Sequence, residues 1–288
     1  MHNIEKTSNV IRSLSGLVNY HDLVIGVSDE YHGLFVRGPD GDRFYNFSGY
    51  PAHLSYKDQK KIKPDQESIS LISFEGREYI IAFPSLSKPN RTEVGIFHVS
   101  YSNGQLQIHS HKRFQVGKLY NELVGNREVN IEGHILFGDD LLLLNRGNQT
   151  SCSELVSIKN GMSWLEYVVG RSSDKDFSYI VSKANVDLGQ FQGHPIHWTD
   201  ALRDKDDMIL FLATVEKTDN AYDDGVVLAS FLGRFDVKTH QVLEIKKIID
   251  AKKAEGICHW QSRYLVAIDS DSPEMVNEFY SFSQDVLD

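Results

Sequence analysis

Val129–Gln149 reads VNIEGHILFGDDLLLLNRGNQ, and Lys253–Pro273 reads KAEGICHWQSRYLVAIDSDSP. Each begins with Glu-Gly, passes through a short apolar segment, turns on a few polar residues, and ends a second apolar burst on a polar stop. Apolar runs this short, bounded by Gly, Asn and Asp, read as strands joined by tight turns. Two related hairpins in distant parts of one chain prompt a search for an internal repeat before any single motif is weighed.

Weaker copies follow the same plan. PDQESISLISFEGREYIIAFPSLS starts at Pro64, HWTDALRDKDDMILFLATVEKTD at His197, and LSGLVNYHDLVIGVSDE at Leu14. Aligned on the glutamate, the units place Ser15, Glu67, Glu132, Asp200 and Glu255 in one register, with a period of about 50–70 residues. Each hairpin is followed by further strand-like segments, such as EVGIFHVSY and QLQIHSHKRF after Glu67. Units of about four short antiparallel strands at this period predict an all-β, five-bladed β-propeller, with residues 1–288 as a single domain. Six blades is the alternative count. A β-sandwich would lack the five-fold register. The last unit ends at Glu278–Phe282, one strand short, so the segment around Ile4–Ile11 is expected to supply the outer strand and join both termini in one blade. Helical stretches are expected only as short turns, at Tyr56–Lys61 and Lys118–Val124.

Composition narrows the partners. Hydrophobic residues make up 41% and charged residues 24% of the 288, an ordinary globular balance. The formal net charge is −10, which argues against nucleic acid and anionic membranes as partners. A small-molecule ligand or substrate is the expected partner, with a protein partner as the alternative. Cys152 and Cys258 are too far apart in sequence to form a metal-type pair, and they read as reduced thiols. The opening MHNIEKTSNVIRS lacks the apolar core of a signal peptide, so a cytoplasmic setting is expected.

In a propeller, the first strand of each unit lines the central channel. Glu67, Glu132, Asp200 and Glu255 would then converge at one mouth, while the glycines after Glu132 and Glu255 let neighbouring backbones approach. Converging carboxylates repel by about 4 kcal/mol per pair at ~4 Å and an effective dielectric of ~20. A divalent cation (Ca²⁺ before Mg²⁺), protonation, or a basic residue among them relieves the strain. Lys63 and Lys253 lie close to two of the carboxylates in sequence and can play the third part. A second ring at the ends of the second strands would hold Asp29, Ser85, Asn145, Glu216 and Asp269, with Arg91, Arg146 and Asp271 nearby. Asn145 and Asp269 follow LLLL and LVAI in matching places.

KPDQES at Lys63–Ser68, NIEGHILFGDDLLLLNRGN, TDA at Thr199–Ala201, EKTDNAYDDG at Glu216–Gly225, and AEGI with IDSDSP resemble the phytase-like β-propeller superfamily. The resemblance spans roughly Lys61–Phe282. It implies an acidic central-channel site, with calcium in some members and phosphoester hydrolysis in the phytases as a group. This chain has Pro84-Ser85-Leu86-Ser87 where similar proteins favour a Gly-Ser-Gly-Ser turn, and a leucine there would crowd a backbone anion cradle.

Three functions remain open on the sequence. One is a metal-dependent hydrolase of phosphate or carboxylate esters. In it, the cation on Glu67, Glu132 and Glu255 polarises the ester, Glu216 or Asp269 acts as base, and Arg91 or Arg146 steadies developing negative charge. The second is a non-catalytic propeller binding a ligand or protein. The third is a scaffold with an internal ion-pair plug.

Overall fold

The computed structural model describes residues 3–6, 13–47, 58, 61–125, 128–147, 152–204, 208–217, 225–269 and 277–287. Strand β1 (Asn3–Lys6) comes first in the chain but belongs to the last blade. Blade 1 is β2 (Leu14–Tyr20), β3 (Leu23–Ser28), β4 (Gly33–Gly38) and β5 (Gly41–Asn46). Blade 2 is β6 (Gln66–Phe74), β7 (Arg77–Pro84), β8 (Glu93–Ser102) and β9 (Gln105–Gln115). Blade 3 is β10 (Ile131–Phe137), β11 (Asp140–Asn145), β12 (Ser153–Ile158) and β13 (Val181–Val186). A short hairpin of β14 (Gln190–Phe191) and β15 (His194–Pro195) leads to blade 4: β16 (His197–Arg203), β17 (Met208–Lys217), β18 (Val226–Asp236) and β19 (Gln241–Asp250). Blade 5 is β20 (Lys253–Trp260), β21 (Arg263–Asp269), β22 (Glu278–Ser283) and, outermost, β1. The ring is therefore five four-stranded antiparallel blades, as the repeat predicts.

Closure is made where expected. β1 pairs antiparallel with β22, Asn3 opposite Ser281 and Lys6 opposite Glu278, so the start of the chain covers an edge the end would leave open. The rest of the expected closing segment lies outside the described residues.

Strand burial follows position in the blade. The second strands are sandwiched between neighbouring blades, so their apolar residues run without alternation: Ile80–Phe83, Leu141–Leu144 and Ile209–Ala213 are all buried. The outer β19 is largely solvent-facing and charged. Each fully buried Leu, Ile, Val or Phe stabilises the ring by about 1.5–3 kcal/mol relative to exposure.

Two helices sit near blade 3, α1 (Gly117–Val124) and α2 (Gly161–Gly170). α1 falls where a short turn is expected. α2 is not anticipated from the sequence, although Trp164, Leu165 and Val168 carry helical spacing and pack into the core between blades 2 and 3. Asp174 caps α1 from outside: its carboxylate accepts the backbone N–H groups of Lys118 (3.0 Å) and Leu119 (2.7 Å). Among the described residues no helix is long and apolar enough to cross a membrane.

Candidate functional site at the acidic mouth of the channel

Every innermost strand carries a β-bulge near its start. The residue left out of the pairing is Ser15 in β2, Glu67 in β6, Glu132 in β10, Thr199 in β16 and Glu255 in β20. A bulge re-aims a side chain at a sheet edge, and here it repeats at one level around the ring. This answers why Glu-Gly opens a buried strand. The glutamate occupies the bulge, and a glycine follows because neighbouring inner strands nearly touch. A Cβ on Gly16 would lie 3.0 Å from Ser68 Cα, and one on Gly256 would lie 3.1 Å from the carbonyl carbon of Gly16.

Blade 4 departs from the sequence alignment by one residue. Thr199, not Asp200, holds the bulge, and its hydroxyl donates to the Ala254 carbonyl at 2.5 Å. Asp200 takes the glycine position. Its carboxylate accepts the backbone N–H of Ala201 (2.8 Å), that of Ile257 in blade 5 (2.8 Å), and that of Leu17 in blade 1. Burial pushes its pKa well above the ordinary carboxylate range, against the pull of those amides. Asp200 thus bridges three inner strands, which takes it out of the expected metal-ligand ring.

The residue two places before each bulge is polar in all five units: Ser13, Asp65, Asn130, His197 and Lys253. These residues divide the mouth into two charge clusters.

The first cluster lies on blades 1 and 2, with Asp65 as its hub. Asp65 is buried and has φ +58°, a left-handed conformation that Asp tolerates better than most residues. Lys63 Nζ contacts Asp65 Oδ1 at 2.8 Å and pairs closely with Asp29. Arg91 donates to Asp65 Oδ2 at 2.7 Å and to Ser87 Oγ at 2.8 Å. Ser85 also donates to Asp65 Oδ2, as does Ser87, at 3.1 Å. Burial works against the Asp65 charge, but Lys63 and Arg91 together hold its pKa below the ordinary value. Leu86, the residue expected to crowd this turn, points away. It has φ +55° and is fully buried in the core between blades 2 and 3.

The second cluster spans blades 3, 4 and 5. Arg146 reaches Glu132 Oε1 at 3.4 Å and Glu216 Oε1 at 2.7 Å. Lys253 Nζ lies 2.5 Å from Glu255 Oε1 and 3.9 Å from Glu216 Oε1. The Asn130 side chain donates to Glu132 Oε1 at 2.6 Å. Burial opposes the Glu216 charge, yet Arg146 and Lys253 pull its pKa down to about 2. Asp269 lies beside Lys253 and Glu255 and adds to the negative field there. By pairing register Arg146, not Asn145, matches Asp269. The Asn145 side chain instead accepts the Asn130 N–H at 2.7 Å and donates to Glu154 at 3.1 Å.

Glu67 and Glu132 both raise the pKa of Glu255, and Glu132 raises that of Glu67, so the three carboxyls act on one another across the ring. Burial lifts all three, and Glu67 and Glu255 are held well above the ordinary range. Glu67 differs from the rest. It is half-buried and has no hydrogen bond or ion pair among the described residues, whereas Glu132, Glu216 and Glu255 each contact a cation.

The expected divalent cation can be tested against these donors. Oxygens of Asp29, Asp65 and Glu67 lie within 4.8 Å of one another, a spacing that could suit a metal. The Lys63 ammonium already stands between Asp29 and Asp65, and Arg91 holds the other Asp65 oxygen. With Lys63 charged, this group does not fit a divalent ion, and no chemistry is routed through one here.

Sequence reading names most of the mouth but passes over Asp65 within KPDQES. The position carries the signal, since the residue two places before each bulge is polar in every unit. Asp271 and residues 218–224 of EKTDNAYDDG lie outside the described residues.

Comparison with solved structures supports the architecture. A glycoside hydrolase of the GH130 family of mannoside phosphorylases, acting on β-1,2-mannosidic linkages in Candida mannan, matches with a TM-score of 0.52 at 11% identity, over 99% of this chain and 87% of that one. An exo-1,5-α-L-arabinanase from a bovine ruminal metagenomic library matches with a TM-score of 0.51 at 8% identity, over 96% of this chain and 97% of that one. At such identities the likeness shows the fold alone. The expected kinship with phytase-like proteins is supported only at the level of the propeller. No curated protein matches the sequence. Residues 10–283, which take in every bulge and both clusters, match a family of unknown function, DUF6929, and the chain belongs to that family.

Proposed function

We propose that the acidic mouth is the site of a hydrolase acting on small glycosides through carboxylic acid and carboxylate side chains. The observation that carries this reading is Glu67, a carboxyl with no ion pair among the described residues, whose pKa burial and neighbouring carboxylates push well above the ordinary range, beside Asp65 and Glu216, whose pKa values nearby cations pull down. Titratable groups pushed apart in this way divide acid and base roles. Glycosidic cleavage uses such a division, one carboxyl donating a proton and another facing the positive charge at the anomeric carbon.

In this reading Glu67 gives its proton to the glycosidic oxygen as the C–O bond breaks. The Glu216 carboxylate, kept ionised by Arg146 and Lys253, stabilises the oxocarbenium-like charge. Water then bonds to the anomeric carbon and releases a proton to the Glu67 carboxylate, restoring the acid. Arg91 and Arg146 position carboxylates and do not themselves touch the substrate. Asp269 strengthens the negative field near Lys253.

Phosphoesters fit less well. Lys63, Arg91, Arg146 and Lys253 are all engaged by carboxylates, which among these four cations leaves none free to receive a phosphate. The kinds of linkage named for the two structural neighbours add support without deciding the matter. The test is a panel of p-nitrophenyl α- and β-glycosides run beside p-nitrophenyl phosphate, with wild type and Glu67→Gln. Release from at least one glycoside, lost in the variant with the melting temperature retained, is the expected result. Turnover of the phosphate alone, or glycoside turnover untouched by Glu67→Gln, rejects it. The second reading, a structural ion-pair plug, draws on the pairing within the blade 3–5 cluster and predicts no turnover.

A further inference from the structure

Away from the mouth, the outer half of blade 2 carries a pair of metal-type side chains. Where β8 pairs with β9, His98 faces Ser110 and Val99 faces Ile108, so His109 is left over in a β-bulge. Side chains on a regular ladder alternate between the two faces of a sheet, and the extra residue of a bulge breaks that alternation and re-aims its side chain. Here it brings His109 against His98, their ring centroids 4.8 Å apart, with the Tyr79 ring 5.3 Å from His98 on its other neighbour, β7. His98 is half-buried and His109 is exposed, so one ring is anchored and the other is open to solvent.

The surroundings suit a ligand pair. Two imidazoles held on one ion at about 2.0–2.1 Å, at a near-tetrahedral angle, bring their ring centres to roughly 5 Å, the separation the bulge already sets. Ser100 Oγ lies 2.7 Å from His109 Nε2. In the tautomer whose Nε2–H donates to that hydroxyl, Nδ1 carries the lone pair, which is how an outer hydrogen bond orients a ligating histidine. Burial lowers the pKa of His98, and His109 and the exposed Arg77 act the same way, so its imidazole is neutral and able to ligate near pH 7. We infer that His98 and His109 form a solvent-open site for a late first-row divalent ion, Zn²⁺, Ni²⁺ or Co²⁺, which ties β8 to β9. Imidazole favours these ions, whereas Ca²⁺ and Mg²⁺ seek oxygen. Among the described residues the three-member metal-type group is Asp29, Asp65 and Glu67, so at the histidine pair water completes the coordination. The inference does not rest on the hydrolase reading.

The test is a titration of the full chain with Ni²⁺ and, separately, Zn²⁺, followed by calorimetry. With Ni²⁺ the histidine ring signals are also followed by NMR, where the paramagnetic ion broadens the rings it touches. The His98 and His109 signals should broaden first, and Ca²⁺ should leave them unchanged. His98→Gln and His109→Gln should each weaken binding by at least the roughly tenfold that even an outer hydrogen-bond partner is worth to a metal site. His240→Gln, at an exposed histidine of blade 4, should leave the affinity as it is. Should His98→Gln fail to fold, His109→Gln decides alone, because its side chain is exposed. No binding at millimolar Ni²⁺ and Zn²⁺, first broadening at other rings, or an affinity untouched by His109→Gln overturns the site and leaves the two rings as a stacked surface pair.

Discussion

The two halves of the mouth draw on the same residue types and reach different ends. In the blade 3–5 half, Arg146 and Lys253 connect Glu132, Glu216 and Glu255 into one chain of ion pairs that crosses two blade boundaries. In the blade 1–2 half, Lys63 and Arg91 converge on Asp65, and Glu67 is left over. The first half consumes its charge in bracing the ring. The second keeps one carboxyl without an ion pair among the described residues, and burial together with Asp65, Glu132 and Asp29 pushes its pKa well above the ordinary range. In the proposed hydrolase this difference is the ground for giving Glu67 the role of acid.

The comparison breaks most visibly at Arg146. Arg146→Met would take from Glu132 its direct ion pair and leave Glu216 only Lys253, at 3.9 Å, and removing one partner of a buried pair costs about 3–5 kcal/mol. A urea midpoint lowered accordingly, with an unchanged slope, is the expected outcome. Arg91→Met should cost less, since Lys63 still neutralises Asp65 and two serine hydroxyls still bond it. Equal losses would erase the distinction between the halves.

Acid separates the halves next. Glu216 has its folded pKa depressed to about 2 from 4.5, so it contributes stability above pH 4.5 that is lost as pH falls toward 2. That window corresponds to about 3 kcal/mol, from ~1.4 kcal/mol per pH unit. Glu67 has the opposite sign. Its folded pKa is raised, so its contribution is full below pH 4.5 and fades as pH rises through the folded value. Stability curves of Glu216→Gln should therefore flatten on the acid side, and those of Glu67→Gln on the alkaline side. Parallel curves for both would remove the basis for giving them different roles.

Much of this was legible in the sequence, and the remainder was hidden for physical reasons. Alternating Gly, Asn and Asp turns with apolar bursts reveal the blades, because strand period and turn chemistry are local. The glutamates at Glu67, Glu132 and Glu255 show through because a repeated fold repeats its special backbone sites. Asp200 misleads because a bulge can shift by one residue without altering the pattern, and only pairing shows that Thr199 holds it. α2 is obscured because it is short and apolar through most of its length, a run that periodicity alone does not separate from a buried strand. The ion pairs were open to guesswork at Lys63 and Lys253, through closeness in sequence. Arg146–Glu216 joins residues from different blades, and no spacing rule reaches across them.

The smallest effect sharpens the comparison furthest. Glu67→Gln removes a carboxyl that has no ion pair among the described residues and is repelled by Asp65, Glu132 and Asp29. The amide matches the carboxyl in size and carries no charge to be repelled, so the melting temperature should rise by no more than ~2 °C or stay put. Millimolar Ca²⁺ or Mg²⁺ should leave wild type and variant alike unmoved, because Lys63 already holds the place between Asp29 and Asp65. Lys63→Met reverses this. It removes the ammonium and leaves Asp29, Asp65 and Glu67 with oxygens within 4.8 Å, so this variant alone should gain stability from Ca²⁺. A calcium-induced rise in the wild type, abolished by Glu67→Gln, would return Glu67 to the role of metal ligand and take from it the role of acid. A rise confined to Lys63→Met would show that the lysine stands where a cation would otherwise bind, which leaves Glu67 free to hold a proton.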